Sequence, residues 1–142
     1  MSEVPDIPAG FEPRPAGGKF TNMIGPIYQC IDERGFCYAF RAEERHTNNG
    51  GVVHGGMLVS VMDVMLAYMI GHELGPKPRA TTSLAVDFLT SARPGDWLEA
   101  RGHITRRTAS MVFVRGLMTA GERPVLGASV MAAGPAGERA IA

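Results

Sequence analysis

A chain of 142 residues, 45% of them hydrophobic, has the size of one ordinary domain and can bury a single core without disulfide or metal staples. Its 14 Lys and Arg balance its 14 Asp and Glu, so a net charge of zero leaves no basic footprint for nucleic acid. No apolar signal or transit pattern stands at its head, and a cytoplasmic protein is the expectation.

Residues 1–23 carry Pro5, Pro8, Pro13 and Pro15 with Gly10, Gly17 and Gly18. That composition resists regular structure and reads as a flexible or draped arm, with Phe11 and Phe20 as its candidate anchors. Residues 24–41 predict a hairpin of two short strands turning at Asp32-Glu33-Arg34-Gly35, with Phe36, Tyr38 and Phe40 alternating on one face. A two-residue turn sets Cys30 opposite Cys37. Two cysteines in a cytoplasmic chain are expected as buried thiols rather than as a disulfide, and no C-x-x-C spacing suggests a metal or redox pair.

The centre of the chain joins a glycine-rich loop to a long apolar helix. The loop, residues 48–56, has four glycines in nine positions, so its backbone can approach a ligand closely. The segment after it carries Met57, Leu58, Val59, Val61, Met62, Val64, Met65, Leu66, Tyr68, Met69 and Ile70 around its axis, the pattern of a helix buried on nearly every side. A bilayer crossing needs roughly 20 apolar residues, and with Asp63 in its middle this segment is expected not to span a membrane.

One stripe of the helix is small: Gly56, Ser60, Asp63, Ala67 and Gly71 recur at spacings of three and four. Asp63 is its only charge, and a carboxylate there has a partner, solvent access or a chemical task. At the helix start the N–H groups of Gly55 and Gly56 suit a developing oxyanion; the competing phosphate loop lacks both a Walker pattern and GxGxxG. Gly55 and Asp63 lie eight residues apart, about 12 Å along a helix, too far to serve one carbonyl from one chain. If both act on one bond, they come from different subunits of a two-fold dimer.

Beyond the helix, Gly75, Pro76 and Pro78 stop it, and alternation predicts strands at residues 80–90, 97–107, 110–120 and 124–133, with a turn at Gly121-Glu122. A hairpin, one apolar helix and a four-strand meander imply an α+β domain over residues 24–133, its sheet wrapped around the helix, with residues 134–142 as a tail. His46, His72 and His103 lack the mutual spacing of metal ligands, and no metal is expected. No serine sits in a G-x-S-x-G elbow.

These residues resemble the hotdog-fold acyl-CoA thioesterases, in the branch similar to the phenylacetic-acid-degradation thioesterases. The resemblance is carried by Asn48, by His54-Gly55-Gly56 six residues on, by Asp63 nine after the histidine, and by Thr81 at the start of the next strand. It continues through Val86-Asp87-Phe88-Leu89 and Pro94-Gly95-Asp96. It implies a hotdog fold that hydrolyses an acyl-CoA thioester without a cofactor of its own, coenzyme A being part of the substrate.

Under it, Asn48 and the Gly55 N–H bind the thioester oxygen, Asp63 of the partner chain activates water or attacks directly, and Thr81 positions that water. Asn49 beside Asn48 is a second amide at the same place, and Thr81 taken alone reads as an ordinary β-branched strand residue. His54, Gly56 and Ser60 are candidate substrate neighbours; by its position His54 is either a base or, as favoured, a hydrogen-bonding brace for the loop. Lys77, Arg79, Arg93, Arg106 and Arg107 are the candidate partners for coenzyme A phosphates, and the methionines of the helix are either an adaptable acyl wall or plain core. A homodimer with composite sites, pairing further into tetramers, is implied. Two other functions fit the same pocket, a non-catalytic acyl-CoA-binding module and a hotdog hydratase or dehydratase.

Overall fold

Alternation along the second half of the chain produces strands whose inward residues are sealed and whose outward residues are not. In the computed structural model, which describes residues 6–14 and 17–134, these strands belong to one seven-stranded antiparallel sheet curled around a single long helix. The elements are β1 (Glu12–Pro13), α1 (Lys19–Ile24), β2 (Tyr28–Asp32), β3 (Gly35–Arg41), a 3-10 turn (Glu44–His46), α2 (Gly55–Leu74), β4 (Ala80–Phe88), β5 (Trp97–Arg107), β6 (Met111–Ala120) and β7 (Arg123–Ala133). This is the expected α+β hotdog arrangement.

The hairpin forms because Asp32 accepts the Arg34 N–H at 2.9 Å and Gly35 takes φ +100°, a left-handed turn that a side chain would strain. Its register sets Cys30 across from Cys37, and both are free thiols. Burial pushes the Cys37 thiol up to about 12, which keeps it protonated and unreactive at neutral pH. Phe36, Tyr38 and Phe40 all point into the core.

The apolar side of α2, from Met57 through Met62 and Met69 to Ile70, lies against the sheet. Each such side chain is worth roughly 1.5–3 kcal/mol relative to exposure, so tertiary packing holds the helix in place. Its length and apolarity would suit a membrane crossing, yet here it is the core element of a wrapped sheet. The approach is close because Gly102 and Gly116 face each other across β5 and β6. A Cβ on Gly102 would stand 2.7 Å from Leu66 Cδ2, and one on Gly116 2.7 Å from Met62 Sδ.

The strand order is β1-β2-β3-β5-β6-β7-β4, which corrects the expected four-strand meander. Only β5, β6 and β7 run as a meander; β4 pairs with β7 at the far edge, and the segment after it returns the chain to β5 beside β3. Alternation fixes which face a residue occupies but not which strand lies alongside. Among the described residues one edge of β4 is consequently unpaired, and most of its residues are exposed.

The arm also differs from its reading. Pro5, Pro15 and the tail beyond Gly134 lie outside the described residues, but Glu12–Pro13 adds a strand to the sheet and Lys19–Ile24, free of proline and glycine, forms a helix. Phe11 packs edge-on against Trp97 with centroids 5.2 Å apart, whereas Phe20 remains largely exposed.

Candidate active site

The loop before α2 is braced from beneath by His46, which is only 6% exposed. Its Nδ1 accepts the Glu43 N–H at 3.0 Å, so the proton of the neutral ring sits on Nε2, which donates to the Ile24 carbonyl at 3.0 Å. Burial lowers its pKa from the usual histidine value, favouring that neutral form. Arg45 beside it donates to the carbonyls of Met23 and Gly25, so α1 is tied to the same base. Above it the loop folds on itself: the Asn48 N–H donates to the Val52 carbonyl, Gly51 to Asn48 and His54 to His46, at 2.8, 3.0 and 2.8 Å.

At the helix start His54 is the N-cap. Its Nδ1 accepts the Gly56 N–H at 2.8 Å, the bracing role favoured from sequence. Met57 and Leu58 donate to the His54 carbonyl, so Gly55 carries the N–H of this first turn that has no acceptor among the described residues. The expected pair of glycine donors is thus reduced to one. Asn48 uses its side-chain oxygen to accept the Gly50 N–H at 2.9 Å, which leaves its NH2 end to donate. The ring of Phe88, from the end of β4, covers Gly55: a Cβ there would lie 2.9 Å from Cε1.

Halfway along α2, Asp63 is half-buried on the small-residue stripe, and the Thr81 hydroxyl donates to its Oδ1 at 2.7 Å. Thr81 opens β4, so the bond ties the helix to the unpaired edge strand. Beyond it, Ala67, Gly71 and Thr81 border a cavity of about 560 Å³ with an apolar floor.

The chain therefore brings Asp63 to Thr81 and sets His54 beside Gly55, with Asn48 at the start of the same loop, but it keeps Gly55 and Asp63 on different turns of α2, about 12 Å apart by helical rise. His54, Gly56 and Ser60 border another cavity, of about 460 Å³, with Phe20, Met23 and Arg45, while Gly55 faces one of about 420 Å³ with Phe88 and Leu89. The Ser60 hydroxyl donates back to the Gly56 carbonyl at 2.7 Å. Of the five basic candidates, Lys77 and Arg79 border the Thr81 cavity, and Arg107 lies in its cross-strand row through Ala132 and Val112, roughly 14 Å away at the usual strand spacing. Arg106 shares that end of the sheet, whereas Arg93 sits at the other, in the turn before β5. Sequence reading gave Phe88 only within the resemblance, with no place beside Gly55, and did not find the His46 brace.

A family model of the thioesterase superfamily matches residues 50–126, more than half of the chain. The chain belongs to the thioesterase superfamily. PA0474 of Pseudomonas aeruginosa, named as an inferred esterase, is 35% identical over 126 residues, 87% of this chain and 94% of that protein. The fold is shared with PaaI of Escherichia coli, from the phenylacetic acid degradation operon, at a TM-score of 0.75 and 18% identity over 85% of this chain and 87% of that one. A Streptococcus pneumoniae hypothetical thioesterase solved with coenzyme A superposes at a TM-score of 0.66, with 18% identity over 74% and 83% of the two chains. The hotdog thioesterase resemblance is thus correct, and thioester hydrolysis is the chemistry of this superfamily. A thioesterase needs donors for the carbonyl oxygen and a base for water.

Proposed function

We propose that this thioesterase hydrolyses acyl-CoA esters at sites shared between two copies of the chain. The observation that carries the reading is the Asp63 carboxylate, oriented by Thr81 on the open face of α2 while the unbonded Gly55 N–H stands two turns away. Thr81 occupies one side of the carboxylate, and a second oxygen remains to accept a proton from water. The water oxygen attacks the thioester carbon as its proton passes to Asp63. The negative oxygen formed is held by the Gly55 N–H and the Asn48 NH2 of the partner. Collapse of that intermediate breaks the carbon–sulfur bond, and the thiolate leaves as coenzyme A once protonated.

The unpaired edge of β4 supports the shared site. Antiparallel pairing of two β4 strands about a two-fold axis near Leu84, the middle of residues 80–88, sets Ala80 of one chain across from Phe88 of the other. That places Asp63 and Thr81 of one chain beside the Phe88 that covers Gly55 in its partner. The exposed Phe88 and Leu89 would be covered by the same contact. Lys77, Arg79, Arg106 and Arg107, gathered at the Thr81 end of the sheet, are the cations offered to coenzyme A phosphates.

The test is thiol release from short, medium, long and aryl acyl-CoA esters by the native protein and by Asp63→Asn, with the mass of each measured in solution. The native protein should turn over one group of esters, and Asp63→Asn should lose roughly 10²–10⁴-fold without change of assembly. Binding without thiol release by the native protein would instead indicate an acyl-CoA-binding module.

A further inference from the structure

The cavity bordered by Thr81 ends at a cation, Arg14, with no carboxylate partner among the described residues. Arg14, whose N–H anchors it to the Ile27 carbonyl at 2.8 Å, lays its guanidinium over the Tyr68 ring at 3.9 Å and 6.0 Å from the Tyr38 centroid. Its single side-chain hydrogen bond is a long one, Nη1 to the Gln29 amide oxygen at 3.4 Å; Glu12 engages the other end of that amide, at 3.3 Å. The Arg14 Nε is buried and unbonded, and so is the hydroxyl of Tyr38, a residue 0% exposed. The Tyr38 hydroxyl beside it can accept as well as donate, but among the described residues the guanidinium finds no anion, a costly arrangement unless something supplies one.

The rest of the cavity says what that something is attached to. Phe36, Leu66, Ile70 and Val130 give it an apolar floor between Thr81 and Arg14. Its volume of about 560 Å³ falls within the range of small-molecule pockets. Although acidic and basic residues are equal in number in the chain, Arg14 and Lys77 border this cavity and, among the described residues, no Asp or Glu lines it.

We infer that Arg14 receives a carboxylate at the far end of the acyl group, so that the substrates are mono-CoA thioesters of dicarboxylic acids. This rests on the acyl-CoA reading above and extends it from the reacting bond to the acyl tail. The apolar floor takes the methylenes or ring between the two carbonyl carbons. A carboxylate at the end of the cavity accepts from the Arg14 guanidinium that borders it and neutralises that charge where water is scarce. A phosphate of coenzyme A is the other anion the same cation could hold, and the test separates the two.

Steady-state thiol release is measured for adipyl-CoA and hexanoyl-CoA, six-carbon esters with and without the distal carboxylate, using the native chain, Arg14→Met and Arg14→Lys. Calorimetry with the non-hydrolysable thioether analogues of both accompanies it. The native protein should favour the adipyl compound by roughly ten- to a hundredfold in kcat/KM or, failing turnover, in affinity. Arg14→Met should bring that ratio near one, and Arg14→Lys should recover part of it, which loss of folding would not produce. A native ratio near one, or one that Arg14→Met leaves unchanged while lowering both values, overturns the inference; the second result assigns Arg14 to coenzyme A or to the fold. If no ester is cleaved, the hydrolytic reading falls, and the calorimetric ratio still decides the role of Arg14.

Discussion

At the helix start one methyl group separates a requirement of the site from a requirement of the fold. In Gly55→Ala the new Cβ would crowd the Phe88 ring at 2.9 Å, but the atoms it meets are the far edge of that side chain, which can turn aside. Alanine is also the better helix former by about 1 kcal/mol. Thermal stability should therefore hold or rise slightly, while hydrolysis falls toward the roughly 10²-fold cost of losing one oxyanion donor, because methyl and ring now block the N–H. Melting curves and thiol release on one preparation check both halves; a stable, fully active variant would remove the Gly55 N–H from the mechanism. Gly55 and Asp63 stood out in the sequence by themselves, a glycine at a helix start and a lone charge on an apolar helix, whereas Asn48 and Thr81 were singled out only by the resemblance. The roles of Phe88 and Arg14 were not legible, since their meaning lies in partners far along the chain: the ring over Gly55, and Tyr68 beneath the guanidinium.

Between elements, the sequence announces faces more readily than neighbours. The alternation of Leu98, Ala100 and Gly102 gave the inward face of β5, but nothing in β4 stated that it would pair with β7. His46 was unreadable for the same reason, as its Nε2 meets a carbonyl 22 residues earlier and so joins α1 to the loop before α2. That join carries a pH dependence. His46 has a folded-state pKa below its unfolded value of 6.5, because burial disfavours the charged ring. Its contribution to stability is complete above about pH 6.5 and is lost as pH falls through the lower folded-state value, where protonated Nδ1 can no longer accept from Glu43. Urea midpoints should fall between pH 7.5 and 5.5 in the native protein. His46→Asn should be less stable at pH 7.5, by about 1–3 kcal/mol, with a smaller fall across that interval. Equal falls in both would assign the acid sensitivity to other groups.

For the whole molecule the question is whether one chain contains a site or half of one. The 12 Å of helix between Gly55 and Asp63 places two halves on each chain, and joining two β4 edges would complete two sites at once. Mixing two inactive variants decides this without a structure of the assembly. Asp63→Asn removes the base. Asn48→Asp keeps an oxygen for the Gly50 N–H but loses the NH2 donor and places a negative charge beside the developing oxyanion. Each homodimer is then inactive for a different reason. When equal amounts are unfolded together and reassembled at random, half of the dimers are mixed, and each mixed dimer has one intact and one doubly altered site. Thiol release should recover to about a quarter of the native rate, fixed by that count of sites. Sites contained within single chains would recover nothing on mixing, and measured mixed dimers without activity would place both halves in the same subunit.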